Sequence, residues 1–173
     1  LVDRDGLIWV GFYQLGLDYT LYQSELFHTY SYPPYFDTKD MPVRTITFRG
    51  SEKLIGSRDG LYFIDEQRGR YAGFSAPQLR SSMIICSYAF QGKYYIGTYG
   101  GGMYVLDPVT LTISDFEPHV VQPFVKGQIF CIKSDMEGCL WIGTSVGLFR
   151  YKDGRMLNHY TSCLLYTSDA ADE

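Results

Sequence analysis

From one end to the other, the chain sets short apolar runs between turn residues. "IICSYAF" (84–90), "KYYIGT" (93–98), "MYVLD" (103–107) and "LTISDF" (111–116) follow one another with only two to four residues between them. The runs are rich in β-branched and aromatic side chains, and the gaps hold Gly, Gln and Pro. No stretch sustains an apolar period of three to four residues over the length of a helix. This spacing predicts four short strands joined by tight turns into a meander.

The meander recurs. "LIWVGFYQLGLDYTLY" from Leu7, "EKLIGSRDGLYFID" from Glu52, "KYYIGTYGGGMYVLD" from Lys93 and "CLWIGTSVGLFRYKD" from Cys139 align on Gly11, Gly56, Gly97 and Gly143, which stand 45, 41 and 46 residues apart. Two positions before each anchor is a large apolar or aromatic residue: Trp9, Leu54, Tyr95, Trp141. One position before it is a β-branched residue: Val10, Ile55, Ile96, Ile142. A second glycine follows at Gly16, Gly60, Gly102 and Gly147, and directly after it come Leu17, Leu61, Met103 and Leu148.

A period of 41 to 46 residues with four strands per unit fits the blade of a β-propeller. A four-stranded sheet has two faces and hides both by stacking against similar sheets around an axis. In that arrangement the large residue before each anchor fills the space between blades, and its β-branched neighbour points to the opposite face. The anchor glycine allows a close backbone approach or an unusual dihedral. The expected fold is all-β: a β-propeller fragment of four-stranded antiparallel blades, with a partial blade at 1–32 and complete blades at 43–78, 84–118 and 128–161. The proline-bearing joins at 31–42 and 117–127 are expected to be loops between blades. Three blades and a fraction cannot close a ring of at least four. The chain, which opens on "LVDRDGLIW" without Met, is therefore expected to be a piece of a longer protein, with 1–162 as the propeller fragment. The last residues, "CLLYTSDAADE" (163–173), match no repeat and resemble a translated sequencing adaptor, so they are expected to be non-native and unpacked.

Composition narrows the classes. With 173 residues, 46% hydrophobic and 20% charged, the chain reads as folded and not disordered. Sixteen Tyr and eleven Phe suit strands. A net charge of −4 without a basic stripe argues against nucleic acid as a partner of this fragment. The four cysteines form no CxxC pair, so neither zinc nor a disulfide scaffold is indicated. Cys131 and Cys139 flank a predicted hairpin turn and read as two small hydrophobes on adjacent strands, with pairing left open. No apolar run approaches the roughly 20 residues that cross a bilayer, and no signal peptide is evident.

The motifs that resemble reactive sites have simpler readings. "GTYGGG" (97–102) lacks the following helix and lysine of a phosphate cradle and reads as a strand-to-strand turn. "DRDG" (3–6) and "DMEG" (135–138) read as hairpin turns, not calcium loops. His28, His119 and His159 offer no convergent metal set, and there is no G-x-S-x-G nucleophile motif. Catalytic, cofactor-binding and metal-ligating residues are all read as none, and no cofactor is expected. Aromatics in or near loops and strand ends, including Tyr30 and Tyr104, are the remaining candidates for stacking on sugars or anchoring a partner. Tyr32, Tyr35, Phe36 and Tyr99 are singled out as ligand-facing.

"SDMEGCLWIGTSVGLFRYKDGRMLNHYTS" (134–162) resembles the two-component regulator propeller repeat. Asp135, Gly138, Leu140, Trp141, Ile142, Gly143 and Thr144 carry its first half; Gly147, Leu148, Arg150 and Tyr151 its second; His159 and Tyr160 its close. The opening copy matches through Asp3, Gly6, Ile8, Trp9, Val10 and Gly11. The unit at 93–107 matches through Ile96, Gly97, Thr98, Gly101, Gly102 and Asp107. The unit at 52–65 keeps Ile55, Gly56, Gly60, Leu61 and Asp65 but lacks the tryptophan and the threonine.

The resemblance implies the periplasmic sensor region of a membrane-anchored hybrid histidine kinase of Bacteroidota, with tandem seven-bladed propellers. It further implies a non-catalytic role, glycan-derived oligosaccharides as ligand, a phosphorelay in the parent, and a homodimeric parent whose remaining blades are this fragment's partners. The family's ligand contacts lie outside the repeated positions, so none is carried over. Two other classes stay open at this point. One is a propeller enzyme acting on polysaccharides, a lyase or glycosidase, with charged residues converging at the channel. The other is a protein-interaction propeller.

Overall fold

The computed structural model describes residues 1–4, 7–12, 16–21, 28–30, 42–116 and 127–161. The expected joins at 31–42 and 117–127 lie almost wholly outside them, as do Tyr32, Tyr35, Phe36, His119 and the segment 163–173.

The first sheet holds β1 (Leu7–Phe12), β2 (Gly16–Leu21) and β3 (His28–Tyr30). The second holds β4 (Val43–Arg49), β5 (Glu52–Ser57), β6 (Leu61–Asp65) and β7 (Arg70–Phe74). The third holds β8 (Ile84–Phe90), β9 (Lys93–Thr98), β10 (Met103–Asp107) and β11 (Thr112–Asp115). The fourth holds β12 (Ile129–Ser134), β13 (Leu140–Thr144), β14 (Gly147–Lys152) and β15 (Arg155–Tyr160). In each sheet consecutive strands are neighbours, so every unit is an antiparallel meander, and the fold is all-β and that of a propeller fragment. The first sheet also carries a stub where the others have their opening strand. Val2 bridges Ile8, the Trp9 amide donates to the Leu1 carbonyl at 2.6 Å, and the Leu1 ammonium donates to the Trp9 carbonyl at 2.9 Å.

The chain divides into two compact units, 1–84 and 85–173. In the first, Trp9 and Leu17 of one sheet form a core with Ile55, Tyr62 and Ile64 of the next, flanked by Ile46, Phe48 and Tyr71. In the second, Met103 and Phe116 form a core with Ile129, Ile132, Leu140, Ile142, Phe149 and Tyr151. The central strands of the second and third sheets are largely buried on both faces, as in β6, where all five residues are buried, while β14 alternates and β15 is largely exposed. Two-sided burial is why the central runs read as nearly continuous hydrophobes and the closing runs do not.

The anchor glycines have a specific task. A Cβ on Gly56 would lie 2.5 Å from Ile84 Cγ2 and 2.6 Å from Thr45 Cγ2. On Gly97 it would lie 2.6 Å from Cys86 Sγ and 2.7 Å from Ile129 Cγ2. Gly11 faces Val43, at 3.8 Å. Each glycine is thus the floor of a socket that receives the β-branched residue leading the following sheet's first strand. At Gly56 and Gly97 a side chain from the opening strand of the glycine's own sheet shares that space. A β-branched side chain is stiff at χ1 and cannot swing aside, so at Gly56 and Gly97 the floor has to lack a side chain, whereas at Gly11 a Cβ would meet Val43 at ordinary contact distance. Gly97→Ala is expected to cost about 1–3 kcal/mol by overpacking, read as a lower urea midpoint. An unchanged midpoint would show that the socket relaxes freely.

Candidate functional site

The repeated polar residues build two local clamps. Asp135 accepts hydrogen bonds at Oδ1 from the amides of Glu137 (3.0 Å) and Cys139 (2.8 Å), and at Oδ2 from the indole Nε1 of Trp141 (2.8 Å). Asp3 repeats the geometry with the Leu7 amide at 3.0 Å and the Trp9 indole at 2.7 Å. One carboxylate therefore closes the hairpin turn and fixes the rotamer of the tryptophan six residues on. Gly138 turns the chain between them at φ +76°, a conformation glycine adopts without steric penalty.

The second clamp follows three of the anchor glycines, Gly56, Gly97 and Gly143. The Thr98 hydroxyl donates to the Gly102 carbonyl (2.7 Å) and accepts from the Gly101 amide (3.1 Å). Thr144 donates to the Gly147 carbonyl at 2.9 Å and accepts from the Val146 amide at 3.1 Å. Ser57 donates to the Gly60 carbonyl (3.0 Å) and accepts from the amides of Asp59 and Gly60, both at 3.1 Å. The unit at 52–65 lacks the threonine, yet its serine closes the same turn. "GTYGGG" is accordingly a hydroxyl-clamped turn between β9 and β10. Both clamps were readable as spacings, an acid six residues before Trp9 and Trp141 and a hydroxyl directly after three of the anchors.

Asp135, Glu137 and Cys139 bring their potential ligand atoms within 4.8 Å of one another. The carboxylates of the cluster already have partners, however. Both Asp135 oxygens accept N–H donors, and the Arg150 guanidinium lies 3.5 Å from Asp135 and in a short ion pair with Glu137. These contacts support the turn reading. The same guanidinium lies 5.4 Å from the Trp141 ring centroid, and the Tyr160 ring stacks on Trp141 at 5.8 Å and 18°.

A second charged group ties the second sheet. Buried Glu52 and Asp65 meet Arg70 at 3.4 and 3.2 Å, and Arg49 and Arg68 complete the network. Burial opposes the charge on Asp65, but hydrogen bonds from Ser51, Arg70 and Arg68 outweigh it and hold the carboxyl below its ordinary value.

The singled-out positions fall as follows. Trp9 and Leu54 are buried, Tyr95 and Trp141 half-buried. Gly147 sits at φ +130°, where a Cβ would run into the Tyr160 carbonyl oxygen. Leu148 is 38% exposed. Of the aromatics, Tyr99 is 48% exposed on the 98–102 turn, whereas Tyr104 is buried. His159 stacks on Phe149 at 3.9 Å and bonds the Val146 carbonyl at 2.9 Å, inside its own sheet.

Cys131 and Cys139 are both free. Cys131 pairs with Gly143, whereas the Cys139 carbonyl accepts the Asp135 amide. The two therefore stand about four strand residues apart along the ladder, roughly 13 Å, too far for a disulfide.

The Asp135 carboxyl is held down to about 2 from an ordinary 3.8 by the Trp141 indole first, then by the Cys139 amide. Burial opposes the shift, and the Glu137 amide and Arg150 add to it. A depressed carboxyl contributes stability that is complete above its unfolded value and lost as pH falls through the folded one. Asp135→Asn should therefore lower the urea midpoint at pH 7 and flatten the decline of stability between about pH 4 and pH 2. An unchanged acid profile would remove the clamp from the account of stability.

The Cys86 thiol is pushed up to about 12, by burial first and then by neighbouring Cys131. Exposed Cys131 should react with iodoacetamide at pH 8, while Cys86 and buried Cys139 stay unlabelled until unfolding, as read by peptide mass spectrometry.

Residues 123–146 match the family described as two component regulator propeller. No curated protein sequence matches the chain. The chain is 27% identical to the extracellular domain of the hybrid two component system BT3049 of B. thetaiotaomicron, with a TM-score of 0.68, covering 88% of this chain and 22% of that one. It is 21% identical to the extracellular domain of the one component system BT4673 of the same organism, with a TM-score of 0.62, covering 93% of this chain and 27% of that one. PorZ, a surface component of the type-IX secretion system of Porphyromonas gingivalis, shares the fold at 15% identity with a TM-score of 0.69, over 92% of this chain and 26% of PorZ. The chain thus spans about a quarter of the length of these relatives. It is a partial β-propeller domain that resembles the extracellular domains of B. thetaiotaomicron two-component systems.

Proposed function

We propose that the chain is a non-catalytic sensory segment from the periplasmic side of a membrane-anchored two-component hybrid histidine kinase. Its parent would recognise glycan-derived oligosaccharides and pass the signal to a phosphorelay. The observation that carries this reading is the 27% identity over 88% of the chain to an extracellular domain of a hybrid two component system, together with the repeat match at 123–146. The chemistry of the repeats supports the non-catalytic part. The shared acid and hydroxyl positions are used by the clamps, so the repeated residues offer neither a free base nor a nucleophile.

Ligand contact then belongs to residues that differ between repeats. Tyr99 is a proposed contact because it projects from a turn whose backbone is fixed by Thr98. Tyr32, Tyr35 and Phe36 are proposed on sequence alone. Calorimetric titration of the complete extracytoplasmic region with oligosaccharides from several polysaccharide classes is expected to give saturable binding for one class. Tyr99→Ala should weaken that binding by about tenfold, roughly 1.4 kcal/mol. A flat response to every oligosaccharide would overturn the proposed ligand class.

A further inference from the structure

Two opening strands carry an irregularity in the same place. Pairing slips between Val43 and Thr45 in β4 and between Ile129 and Cys131 in β12, which leaves Arg44 and Phe130 out of the ladder. A bulge re-aims the side chain it releases, and bulges recur beside binding sites. Both residues are exposed, Phe130 at 46%. Arg44 is exposed although Ile84, which leads the following sheet, packs over Gly56 of its own sheet, so exposure belongs to the position. A second exposed place lies two residues after the anchor, at Arg58, Tyr99 and Ser145. At both places the residue type changes from repeat to repeat, so stacking does not dictate it.

Within the unit 85–173 the two places come together. The Gly102 amide donates to the Gly127 carbonyl at 3.1 Å, which ties the turn bearing Tyr99 to the stretch leading into β12. Ile129 of that stretch fills the Gly97 socket, two residues before Tyr99. The Ser145 amide donates to the Gln128 carbonyl at 3.1 Å and brings in the turn of Ser145 and Val146, the latter 50% exposed. Residues 127–130 are thus stitched between two turns that Thr98 and Thr144 clamp. From this we infer that Tyr99 and Phe130 form one stacking site for a sugar ring, with Gln128 and Ser145 at its edge, and that its ligand is an oligosaccharide. The inference rests on the sensing proposal and adds Phe130 to Tyr99 as a contact. An aromatic face matches the C–H face of a pyranose, and a carboxamide and a hydroxyl can both donate to and accept from its hydroxyls. Fixed turns lose little freedom on binding. A protein partner would favour a continuous apolar patch, and Gln128 and Ser145 interrupt this one.

The test titrates the complete extracytoplasmic region by calorimetry with glucan, mannan, xylan and galacturonan oligosaccharides. For the class that binds, Phe130→Ala is expected to weaken binding by about tenfold, while Phe130→Tyr, which keeps a ring, holds it within about twofold of the starting value. Val109→Ala, on the exposed turn at the other end of β10, should leave binding unchanged. Because the Phe130 ring is exposed, the urea midpoint of Phe130→Ala should match the parent's, which separates lost contact from lost folding. Saturation of the protein's aromatic protons should pass to the sugar C–H protons, and less so in Phe130→Ala. Saturable binding that Phe130→Ala leaves intact overturns this site and leaves the sensing proposal standing. Binding that Phe130→Tyr loses as fully as Phe130→Ala overturns ring stacking. Silence toward every oligosaccharide, or a protein partner lost on Phe130→Ala in their place, overturns both readings.

Discussion

A methyl group resting on a backbone is the contact on which the rest of the structure depends. A four-stranded sheet can stack on another only if the backbones come close at the opening strands, and the anchor glycines provide the room. Ile84 over Gly56 and Ile129 over Gly97 occupy space in which a Cβ would sit at 2.5 to 2.8 Å. Because the incoming residue is β-branched and stiff, the contact sets distance and register together, as a key does in a keyway. The aromatic and aliphatic residues around it, such as Trp9 with Phe48 and Phe116 with Tyr151, then supply the buried apolar area.

The polar part of the repeat serves the same end by different physics. A buried hairpin turn has amides and carbonyls that need partners. The hydroxyl of Ser57, Thr98 or Thr144 satisfies both kinds at once, and the carboxylate of Asp3 or Asp135 ties a turn to the indole that packs against the sheet. These groups are consumed by the fold, and the proposed ligand contact at Tyr99 stands on a position that varies between repeats, an exposed ring on a clamped turn. This division of labour is the usual one for repeat architectures, in which the shared residues stack and the insertions bind.

Much of this was legible in one dimension because the repeat states its own constraints four times. The spacing of Gly11, Gly56, Gly97 and Gly143, the residue type before each, and the alternation along each run were sufficient for strands, meander order and propeller class. Ser57 shows the limit of reading by identity. The second unit lacks both the tryptophan and the threonine of the repeat, but the turn requires only a hydroxyl, and Ser57 makes the same bonds. Cys131 and Cys139 show a different limit. Flanking one turn says nothing about separation along the ladder, which the pairing of Cys131 with Gly143 decides.

By itself the sequence determined the repeating unit, its strands and its turns, because those follow from periodicity and local chemistry that act over a few residues. Only the tertiary structure decided which copy of a repeated residue is covered. Leu17, Leu61, Met103 and Leu148 occupy the same place in the pattern, and three are buried while the fourth is half-exposed. Burial is a property of what lies across the sheet face, and the neighbour that buries an anchor's face lies 28 to 32 residues further along the chain, outside the reach of any local pattern.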